Sequence, residues 1–492
     1  MKLLVDNSFT TIIDFTPTEY KVVEAVLTYV DETKEKEKKA LHMSLQKAMR
    51  MRYLRKVAYL SAKLQEYGDC TVCLLNTNNT FPTGLLFKVT QALNKGLEND
   101  KYIGRILPYA IEDIRARPQS FQTYRWYNQP PKSRYYQEDC IKLGTERARG
   151  TFECAVGSGK TLIAANLIKE AGVNCLFVVP SIALIEQTKH VLGLYFGKEK
   201  VQQVTTANVK SHKKLKPIRI STVQTLASLQ KQDMLGLVVE DIDMLIIDEA
   251  HHGAANSYTN LLKAFNHIYY RFNFSGTYTR NDSKIMELWG VCGEKLYKYS
   301  AAQAISDGFL TPLTFKIKRV NGFQGNVYHE EYTDNYGSKA FLDAIVEEVR
   351  TIPDGKQILI LVDRKEAVGR QISDWLTIKN IESVYMTGDD NKHDVTKAIE
   401  DFNDKKCRIL IASQILGEGV DIRSTDVLIM ARGGKSDIAI TQAVGRAVRL
   451  YPGKVSAQII DFCFTNTKWL EKHTNMRIEN YVEEFAGKIT WA

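Results

Sequence analysis

The feature of this chain that most constrains its fold is a series of short, continuous apolar runs that alternate with helical segments from about residue 150 onward. Buried strands without polar alternation are typical of parallel sheets whose two faces are both covered by helices. The pattern therefore predicts an α/β protein built on doubly wound parallel sheets. The runs lie at 175–179, 218–222, 244–247, 272–274, 358–362, 408–412, 427–430 and 457–460.

A glycine-containing segment at 300–345 divides these strands into two groups. It contains four glycines and a proline, residues that interrupt helices and strands. We therefore predict two doubly wound domains in tandem, at 132–305 and 312–465, followed by a helical tail at 466–492.

Pro130 and Pro131 mark a second boundary, because proline continues neither a helix nor a central strand. The residues before them combine a long helical pattern at 33–66 with a β-like run at 70–75 and a further helix that begins near Pro82. A small separate α/β module is thus predicted at 1–125. At roughly 150 residues per domain, a chain of 492 residues has room for these three parts.

Composition excludes several classes of protein. Hydrophobic residues make up 44% of the chain and charged residues 25%, as in an ordinary globular protein rather than a disordered or fibrous one. No stretch approaches the roughly 18 apolar residues of a membrane span, and Asp6 interrupts any signal-type run at the start. We therefore expect a protein without membrane contact that works in the cytoplasm.

The eight cysteines are scattered along the chain in no disulfide framework, which indicates free thiols in a reducing compartment. Cys70 and Cys73 have the spacing of one half of a zinc site, but no second ligand pair accompanies them. No structural zinc is expected.

The net charge of +9 is mildly basic, and the first 130 residues carry +5 of it, from 19 basic and 14 acidic residues. Residues 38–65 contain eight basic residues and no acidic ones. On a helix, Arg52, Arg55 and Lys56 lie near one stripe, with tyrosines interleaved. Such a stripe either grips the backbone of a DNA duplex or is a solvated helix face, and the sequence leaves both interpretations open.

The sharpest chemical signal is the segment AVGSGKT at 155–161, which lies after a predicted strand and before a helical pattern. In a phosphate-binding loop, backbone N–H groups turn toward phosphate oxygens, a lysine reaches the β- and γ-phosphates, and a hydroxyl ligates Mg²⁺. The sequence therefore predicts ATP and Mg²⁺ as ligands. A strict form of the motif has glycine at position 154, where this chain has cysteine. The predicted contacts come from the backbone of Val156, Gly157, Ser158 and Gly159 and from the side chains of Lys160 and Thr161.

A pair of carboxylates follows the predicted strand at 244–247. Asp248 and Glu249 stand at the strand end, where ligand sites form in α/β sheets. An aspartate there can hold Mg²⁺, and an adjacent glutamate can accept a proton from an attacking water. The alternative is a strand end without chemistry, and it loses weight because a phosphate loop precedes the pair by about 90 residues.

Two arginines in the second half of the chain add a third group to the phosphate loop and the carboxylate pair. In the segment QAVGRAVR at 442–449, Arg446 and Arg449 are three residues apart, so both project from one face of a helix. Their planar guanidinium groups suit the charge of a phosphoryl group in the transition state, as an arginine finger does. Because the first domain offers no such motif, we predict that ATP lies between the two domains.

Together these motifs resemble those of superfamily 2 helicases and translocases of the DEAH-type group, in the family's order over about 132–465. The resemblance implies two RecA-like domains and assigns further motifs. The segment RYYQ at 134–137 is similar to the motif that reads adenine, and SGT at 275–277 to the motif that couples hydrolysis to strand movement. The segment 413–421 resembles the motif that joins the second domain to both ligands.

The resemblance also gives roles to individual residues. It places Arg134, Gln137, Gly419 and Asp421 at the nucleotide, and adds Gln442 to the catalytic set with the two finger arginines. At the nucleic-acid backbone it places Pro180, Ser181, Thr222, Gln224 and Ser413. Besides Cys154, two positions depart from the family pattern: Gly276 replaces the usual alanine, and Tyr278 stands where proline is common.

Within the superfamily, the DEAHH string at 248–252 and the finger motif that begins with glutamine resemble DNA-directed members. The small N-terminal module is similar to that of bacteriophage recombination helicases of the UvsW kind. The resemblance implies an ATP-dependent DNA helicase or translocase that unwinds or branch-migrates forks and junctions in replication, recombination or repair. In this interpretation residues 1–125 recognise the DNA, the protein is a monomer, and it works in the host cytoplasm if a phage encodes it. The alternatives are an RNA helicase and an ATP-gated nucleic-acid clamp that does not unwind.

Overall fold

The computed structural model describes residues 1–492 except 52, 66–67, 96–106, 212–213, 250–264, 277–284, 414–421, 435–436 and 448. The described chain forms a small N-terminal α/β module followed by two α/β domains with parallel sheets, which confirms the predicted fold class. No helix in these ranges is both long and apolar enough to cross a membrane.

The N-terminal module combines a small mixed sheet with helices. Its elements are β1 (Lys2–Val5), β2 (Phe9–Ile13), α1 (Pro17–Leu27), β3 (Thr28–Val30), α2 (Glu32–Arg50), α3 (Leu54–Gln65), β4 (Thr71–Cys73), β5 (Thr80–Pro82), α4 (Leu86–Lys95) and β6 (Ala110–Asp113). The sheet has the order β5-β2-β1-β6, and β3 pairs with β4 in a separate antiparallel ribbon. The helical pattern predicted at 33–66 is therefore two helices, because α2 ends at Arg50 before α3 begins.

Domain 1 has seven described strands in one parallel sheet. Its elements are α5 (Tyr135–Arg147), β7 (Arg149–Cys154), α6 (Lys160–Ala171), β8 (Cys175–Val179), α7 (Ile182–Phe196), β9 (Val201–Gln203), α8 (Thr206–Lys210), β10 (Ile218–Thr222), α9 (Val223–Lys231), α10 (Gly236–Val239), β11 (Met244–Asp248), β12 (Tyr270–Ser275), α11 (Ile285–Cys292), β13 (Lys295–Tyr299) and α12 (Ala301–Ser306). The strand order is β13-β7-β12-β11-β8-β10-β9. Every residue of β8 is buried, which explains its continuous apolar sequence.

Domain 2 repeats this architecture. Its elements are β14 (Leu313–Asn321), α13 (Tyr328–Tyr336), α14 (Lys339–Thr351), β15 (Ile358–Val362), α15 (Gln371–Ile378), β16 (Val384–Met386), α16 (Lys392–Asn403), β17 (Ile409–Ser413), β18 (Val427–Ala431), α17 (Asp437–Ala447), β19 (Ala457–Thr465), α18 (Leu470–Phe485) and β20 (Lys488–Trp491). The parallel sheet has the order β16-β17-β15-β18-β19-β14-β20.

The segment 466–492 differs from the predicted helical tail. It contains the helix α18, but β20 then adds to the sheet of domain 2 beside β14. The helix is fixed by a buried ion pair, in which Arg477 Nε donates to Asp461 Oδ2 on β19 at 2.7 Å. The segment is therefore part of domain 2, and its buried charge and short polar strand explain why the sequence pattern did not indicate this.

The N-terminal module is docked on domain 1 through the turn between β1 and β2. Arg149 Nη2, at the start of β7, donates to the carbonyl oxygen of Asn7 at 2.7 Å. Arg271 Nη2, near the start of β12, donates to Ser8 Oγ at 2.7 Å. Burial lowers the pKa of Arg149 to about 9 and that of Arg271 to about 10. The module thus supplies hydrogen-bond acceptors to two guanidinium groups that are costly to bury.

A second contact joins the helical part of the module to α11 of domain 1. Gly84, which precedes α4, lies against the backbone of this helix, so that a β-carbon at position 84 would be 1.9 Å from the carbonyl oxygen of Trp289. The rings of Phe87 and Trp289 pack edge to face, with their centroids 5.6 Å apart. At this point the two surfaces leave room for glycine only.

We expect Gly84→Ala to weaken the docking of the module, because the new methyl group must displace the backbone of α11. Overpacking of this kind typically costs about 1–3 kcal/mol. Thermal unfolding followed by circular dichroism, together with limited proteolysis, should show a lower midpoint and earlier cleavage of the module.

Gly236→Ala is the matched control, since a β-carbon at position 236 meets no atom within 4 Å and the residue begins the helix α10. It should leave the midpoint unchanged or raise it slightly. Equal midpoints for the two variants would show that the contact at Gly84 is not a close one in solution.

Candidate active site between the two domains

The phosphate loop connects β7 to α6 as the sequence predicts. Gly157 and Gly159 have φ angles of +83° and +81°, a conformation that glycine adopts without strain. Gly159 is the N-cap of α6, so the loop ends at a helix N-terminus, with Lys160 and Thr161 as the first helical residues. This geometry suits a phosphate group because N–H groups and the positive end of the helix dipole face the same point.

Cys154 does not disturb this loop. It is the last residue of β7, its side chain is fully buried, and its backbone does not have a positive φ angle. Position 154 therefore does not require glycine in this chain. Its carbonyl oxygen faces the site, where it accepts a hydrogen bond from Lys160 Nζ at 3.4 Å.

The helix α5 supports the phosphate loop through hydrogen bonds. Tyr136 Oη donates to the carbonyl oxygen of Ser158 at 2.6 Å, and Gln137 Nε2 donates to the same oxygen at 2.8 Å. Gln137 Oε1 accepts from the backbone N–H of Arg134 at 2.9 Å, so both amide atoms of Gln137 bind protein groups here. The guanidinium of Arg134 lies 4.3 Å from the ring centroid of Phe309. Adenine recognition by Arg134 and Gln137 stays a prediction.

An ion pair joins the phosphate loop to the carboxylate pair. Lys160 Nζ lies 2.7 Å from Glu249 Oε1, and the backbone N–H of Gly276 donates to Glu249 Oε2 at 3.2 Å. Burial alone would lower the pKa of Lys160, but the charges of Glu249 and Asp248 outweigh it and raise that pKa. Glu249 has a φ angle of +47°, an uncommon backbone conformation for a non-glycine residue and one that concentrates at functional sites.

Asp248 fits the role of a metal ligand. Its Oδ1 atom is buried without a hydrogen-bond partner among the described residues. Burial, together with the neighbouring charge of Glu249, raises the pKa of Asp248 to about 7. A divalent cation beside this carboxylate would satisfy the buried oxygen and favour its ionised form. Thr161, half-buried at the start of α6, carries the second predicted ligand oxygen.

Domain 2 closes on the phosphate loop through the helix α17. A β-carbon at Gly445 would lie 2.8 Å from Val156 Cβ, so helix and loop are in direct contact. A β-carbon at Gly157 would lie 3.2 Å from Leu310 Cδ2 and 3.9 Å from Arg449 Cγ. The predicted finger residue Arg449 is therefore next to the loop, as a site between the two domains requires.

The backbone of Arg449 is fixed by two donors from other parts of the chain. Thr311 Oγ1, in the segment between the domains, donates to the carbonyl oxygen of Arg449 at 3.0 Å, and Lys454 Nζ donates to the same oxygen at 3.2 Å. Lys454 Nζ also donates to the carbonyl of Ala447, the last residue of α17, at 2.6 Å. Burial lowers the pKa of Lys454 to about 8. These contacts hold the end of the finger motif against the connection between the domains.

The predicted nucleic-acid residues of domain 1 lie together at the carboxyl ends of two neighbouring strands. Pro180 and Ser181 follow β8, while Thr222 ends β10 and Gln224 follows it, and these two strands are neighbours. Thr222 Oγ1 accepts the backbone N–H of Thr225 as the N-cap of α9, whereas Gln224 is exposed. In domain 2, Ser413 ends β17 and is buried. Contacts with nucleic acid stay a prediction for all of these residues.

Several predicted residues lie outside the described part of the chain. They are Arg52, Gly419 and Asp421, the motif positions Thr277 and Tyr278, and the side chains of Arg55 and Arg446. Gln442 is described as a half-buried residue of α17, and Lys56 as an exposed residue of α3.

The sequence did not indicate the uncharged residues that shape the site. Gly445 and Leu310 bring the two domains into contact, and Tyr136 supports the phosphate loop. A glycine inside a helical pattern was the available signal for Gly445, because glycine there costs helix stability unless close packing requires it. Leu310 and Tyr136 gave no such signal, since their roles depend on residues distant in sequence.

We expect Gly445→Ala to reduce ATP turnover while ATP binding by domain 1 is retained. The added methyl group would overlap Val156 and so hold α17 and Arg449 away from the phosphate loop. Turnover should fall more than tenfold, measured by phosphate release, with nucleotide affinity followed by a fluorescent ATP analogue.

The double variant Gly445→Ala/Val156→Gly is the matched control. It removes the β-carbon and both γ-carbons that the new methyl group meets, so turnover should recover in part. Wild-type turnover in the single variant would contradict a close contact between the domains during catalysis.

Comparison with known proteins agrees with this geometry. Residues 130–280 match the family model for the res subunit of type III restriction enzymes, and residues 340–451 match the helicase conserved C-terminal domain. Putative helicase 22 of a Sulfolobus islandicus filamentous virus is 23% identical over 406 residues, which cover 75% of this chain and 71% of that protein. The ATP-dependent DNA helicase uvsW of Enterobacteria phage T4 is 22% identical over 462 residues, 85% of this chain and 89% of that one.

A solved structure supports the same fold. A fragment of a putative HsdR subunit of a type I restriction enzyme from Vibrio vulnificus has a TM-score of 0.55 and 18% identity, over 75% of this chain and 70% of that one. The two helicase domains match the two parallel-sheet domains in order, and the phosphate loop, carboxylate pair and finger motif lie within them. The chain therefore belongs to the superfamily 2 helicases, as an enzyme that hydrolyses ATP.

Proposed function

We propose that this protein is an ATP-dependent DNA helicase or translocase that unwinds or branch-migrates forks and junctions in replication, recombination or repair. The observation that carries the proposal is the position of Arg449 beside the phosphate loop, because it joins the nucleotide site of domain 1 to the movement of domain 2. The DNA substrate is supported by relatives such as the ATP-dependent DNA helicase uvsW of phage T4.

In this proposal the chain's own residues divide the work of hydrolysis. The loop N–H groups and Lys160 bind the phosphates. Thr161 and Asp248 would hold Mg²⁺, which would supply positive charge at the phosphate oxygens. Glu249 accepts the proton of the attacking water on a carboxylate oxygen. Its ion pair with Lys160 and its hydrogen bond from Gly276 already orient this carboxylate toward the loop.

Closure of domain 2 completes the site. Arg446 and Gln442 belong to α17, and Arg449 follows the end of this helix at Ala447. These residues stabilise charge on the transferred phosphoryl group only when α17 lies on the loop. Each cycle of closing and opening then moves the nucleic-acid surface of domain 2 relative to that of domain 1. A strand bound to both surfaces would be translocated or separated by this movement.

A role for the N-terminal module in choosing branched DNA is supported by its charge and its position. The hairpin of α2 and α3 has exposed basic residues, among them Lys47, Arg50 and Lys56, and exposed aromatic residues at Tyr53 and Tyr59. Basic side chains bind backbone phosphates without sequence preference, and aromatic rings stack on unpaired bases. Because the module is packed on domain 1, DNA bound to the hairpin would keep a fixed orientation to the motor.

The active-site roles predict different defects for different variants. Glu249→Gln should bind ATP but not hydrolyse it, since only the proton acceptor is lost, and Arg449→Ala should bind ATP and turn over about 10³-fold more slowly. Lys160→Ala should instead weaken ATP binding itself. Equilibrium binding of a fluorescent ATP analogue and steady-state phosphate release separate the two classes.

Arg350→Ala is the control for loss of an arginine, because this exposed residue of α14 is distant in sequence from the site motifs. It should keep wild-type turnover. Wild-type hydrolysis by Glu249→Gln would show that another group accepts the proton, and wild-type hydrolysis by Arg449→Ala would place the nucleotide away from domain 2.

The proposed substrate is tested by comparing nucleic acids as activators of hydrolysis. We expect forks and four-way junctions to stimulate ATPase activity more strongly than single strands, plain duplex or RNA of equal length. Unwinding of a labelled fork should require ATP and should fail in Glu249→Gln. Stronger stimulation by RNA would identify an RNA helicase, since a 2′-OH dependence distinguishes the two. Binding that depends on ATP without any unwinding would identify a clamp.

A further inference from the structure

One short segment accounts for the positive charge of the two domains. Residues 186–216 contain seven lysines and two glutamates, a net charge of +5, whereas the rest of 131–492 has a net charge of −1. This excess is as large as that of the first 130 residues, but it lies inside domain 1 and outside every motif described above. Basic residues that lie together on one surface are the pattern of a polyanion-binding site, so the position of these lysines in the fold is informative.

The structure places three of these lysines, Lys189, Lys214 and Lys216, around an open groove beside the outermost strand of the domain 1 sheet. The groove has a volume of about 520 Å³ and lies beside the edge strand β9. Polar and basic side chains line it, among them Lys189, Gln203, Asn208, Ser211, Lys214 and Lys216. The groove therefore offers hydrogen-bond donors and positive charge in one concave surface, with no acidic residue among its lining residues.

The lysines of the groove have two different roles in the fold. Lys216 Nζ donates to the carbonyl oxygens of Lys198 at 2.7 Å and Val201 at 3.2 Å, so its ammonium group also holds β9 in place. Lys214 is exposed, and Lys189 is 41% exposed with Glu186 at 3.6 Å on the same helix. Lys189 and Lys214 can thus be replaced without removing a backbone contact.

The position of the groove relates it to the predicted path of the nucleic acid. β9 is next to β10, and β10 is next to β8, in a parallel sheet. Ser181 follows β8, and Thr222 is the last residue of β10, so both lie at the carboxyl ends of these strands. Thr205, which lines the groove, follows β9 at the same end of the sheet. The groove runs along β9 from Lys216, at the amino ends of β9 and β10, to Thr205 at the carboxyl end of β9. It therefore reaches the row of predicted backbone contacts at Thr205.

We propose that this groove binds the phosphodiester backbone of DNA that extends past the strand held between the two domains. The inference rests on the proposed function and adds a third surface, besides the motifs and the N-terminal hairpin, to the DNA path. Lysine suits this role because its ammonium group is a point charge on a flexible stem, which binds phosphate without reading sequence. A motor that moves along DNA needs such contacts to be independent of sequence.

An alternative role for the same lysines is protection of β9, since lysines on an edge strand discourage pairing with other chains. The two roles make different predictions for a variant without these charges. A phosphate contact contributes to the salt dependence of DNA binding, whereas edge protection contributes to the solution state of the protein.

The test is the double variant Lys189→Gln/Lys214→Gln, compared with wild type in fluorescence binding titrations at several salt concentrations. Each lost phosphate contact should reduce the slope of log affinity against log salt by about 0.9 on duplex DNA and about 0.7 on single strands. We therefore expect the slope to fall by about 1.8 on a duplex probe or about 1.4 on a single-stranded probe. The probe that shows the larger affinity loss identifies which form of DNA the groove holds.

Lys397→Gln/Lys472→Gln is the matched control, because it removes the same charge from exposed positions of α16 and α18 in domain 2. It should keep the wild-type slope, and Lys189→Arg/Lys214→Arg should restore the slope that the glutamines remove. An unchanged slope in Lys189→Gln/Lys214→Gln, with or without self-association in size-exclusion chromatography, would overturn the inference. If wild type itself binds no DNA, the proposed function fails instead, so the two failures are distinguishable.

Discussion

The close approach of the helix α17 to the phosphate loop is the constraint on which the rest of the active site depends. Loop residues of domain 1 and the glycine of the finger motif touch at Val156 and Gly445, and this contact brings Arg449 beside Gly157. In the proposed mechanism neither domain has a complete site alone, because domain 1 carries Lys160 and the two carboxylates whereas domain 2 carries Arg449. The lack of a side chain at residue 445 therefore allows α17 to lie directly on the phosphate loop.

The part of the site in domain 1 depends on the balance between one positive and two negative side chains. Lys160, Asp248 and Glu249 are buried or half-buried charged groups, and each would be costly without the others. The Lys160 and Glu249 pair satisfies two of them, while Asp248 keeps an oxygen without a partner among the described residues. A site that binds a cation and an anion together needs at least one charged group that is not already paired within the protein. If every charged group here had a partner, none would be left to bind a metal ion or a phosphate.

The sequence was sufficient to predict the parts that depend on local pattern. The eight apolar runs are strands in the two parallel sheets, because strands such as β8 and β15 are buried at every residue. Strands with polar or alternating sequences were missed, among them β13 and β20, since their burial is partial. The site motifs could be located by spacing, whereas the support of Ser158 by Tyr136 and the contact of Leu310 with the loop depend on tertiary structure alone.

The docking of the N-terminal module has a consequence for how such chains can be recombined. Arg149 and Arg271 lie near the amino ends of β7 and β12, and the opposite ends of these strands lead to the phosphate loop and to Gly276. A different N-terminal module therefore could not be joined to the two domains simply by fusing it at Pro130 and Pro131. Any chimera would have to supply new acceptors for both guanidinium groups, or apolar residues in their place. Exchange of this module between chains should keep the fold only when the first residues of β7 and β12 are transferred together with it.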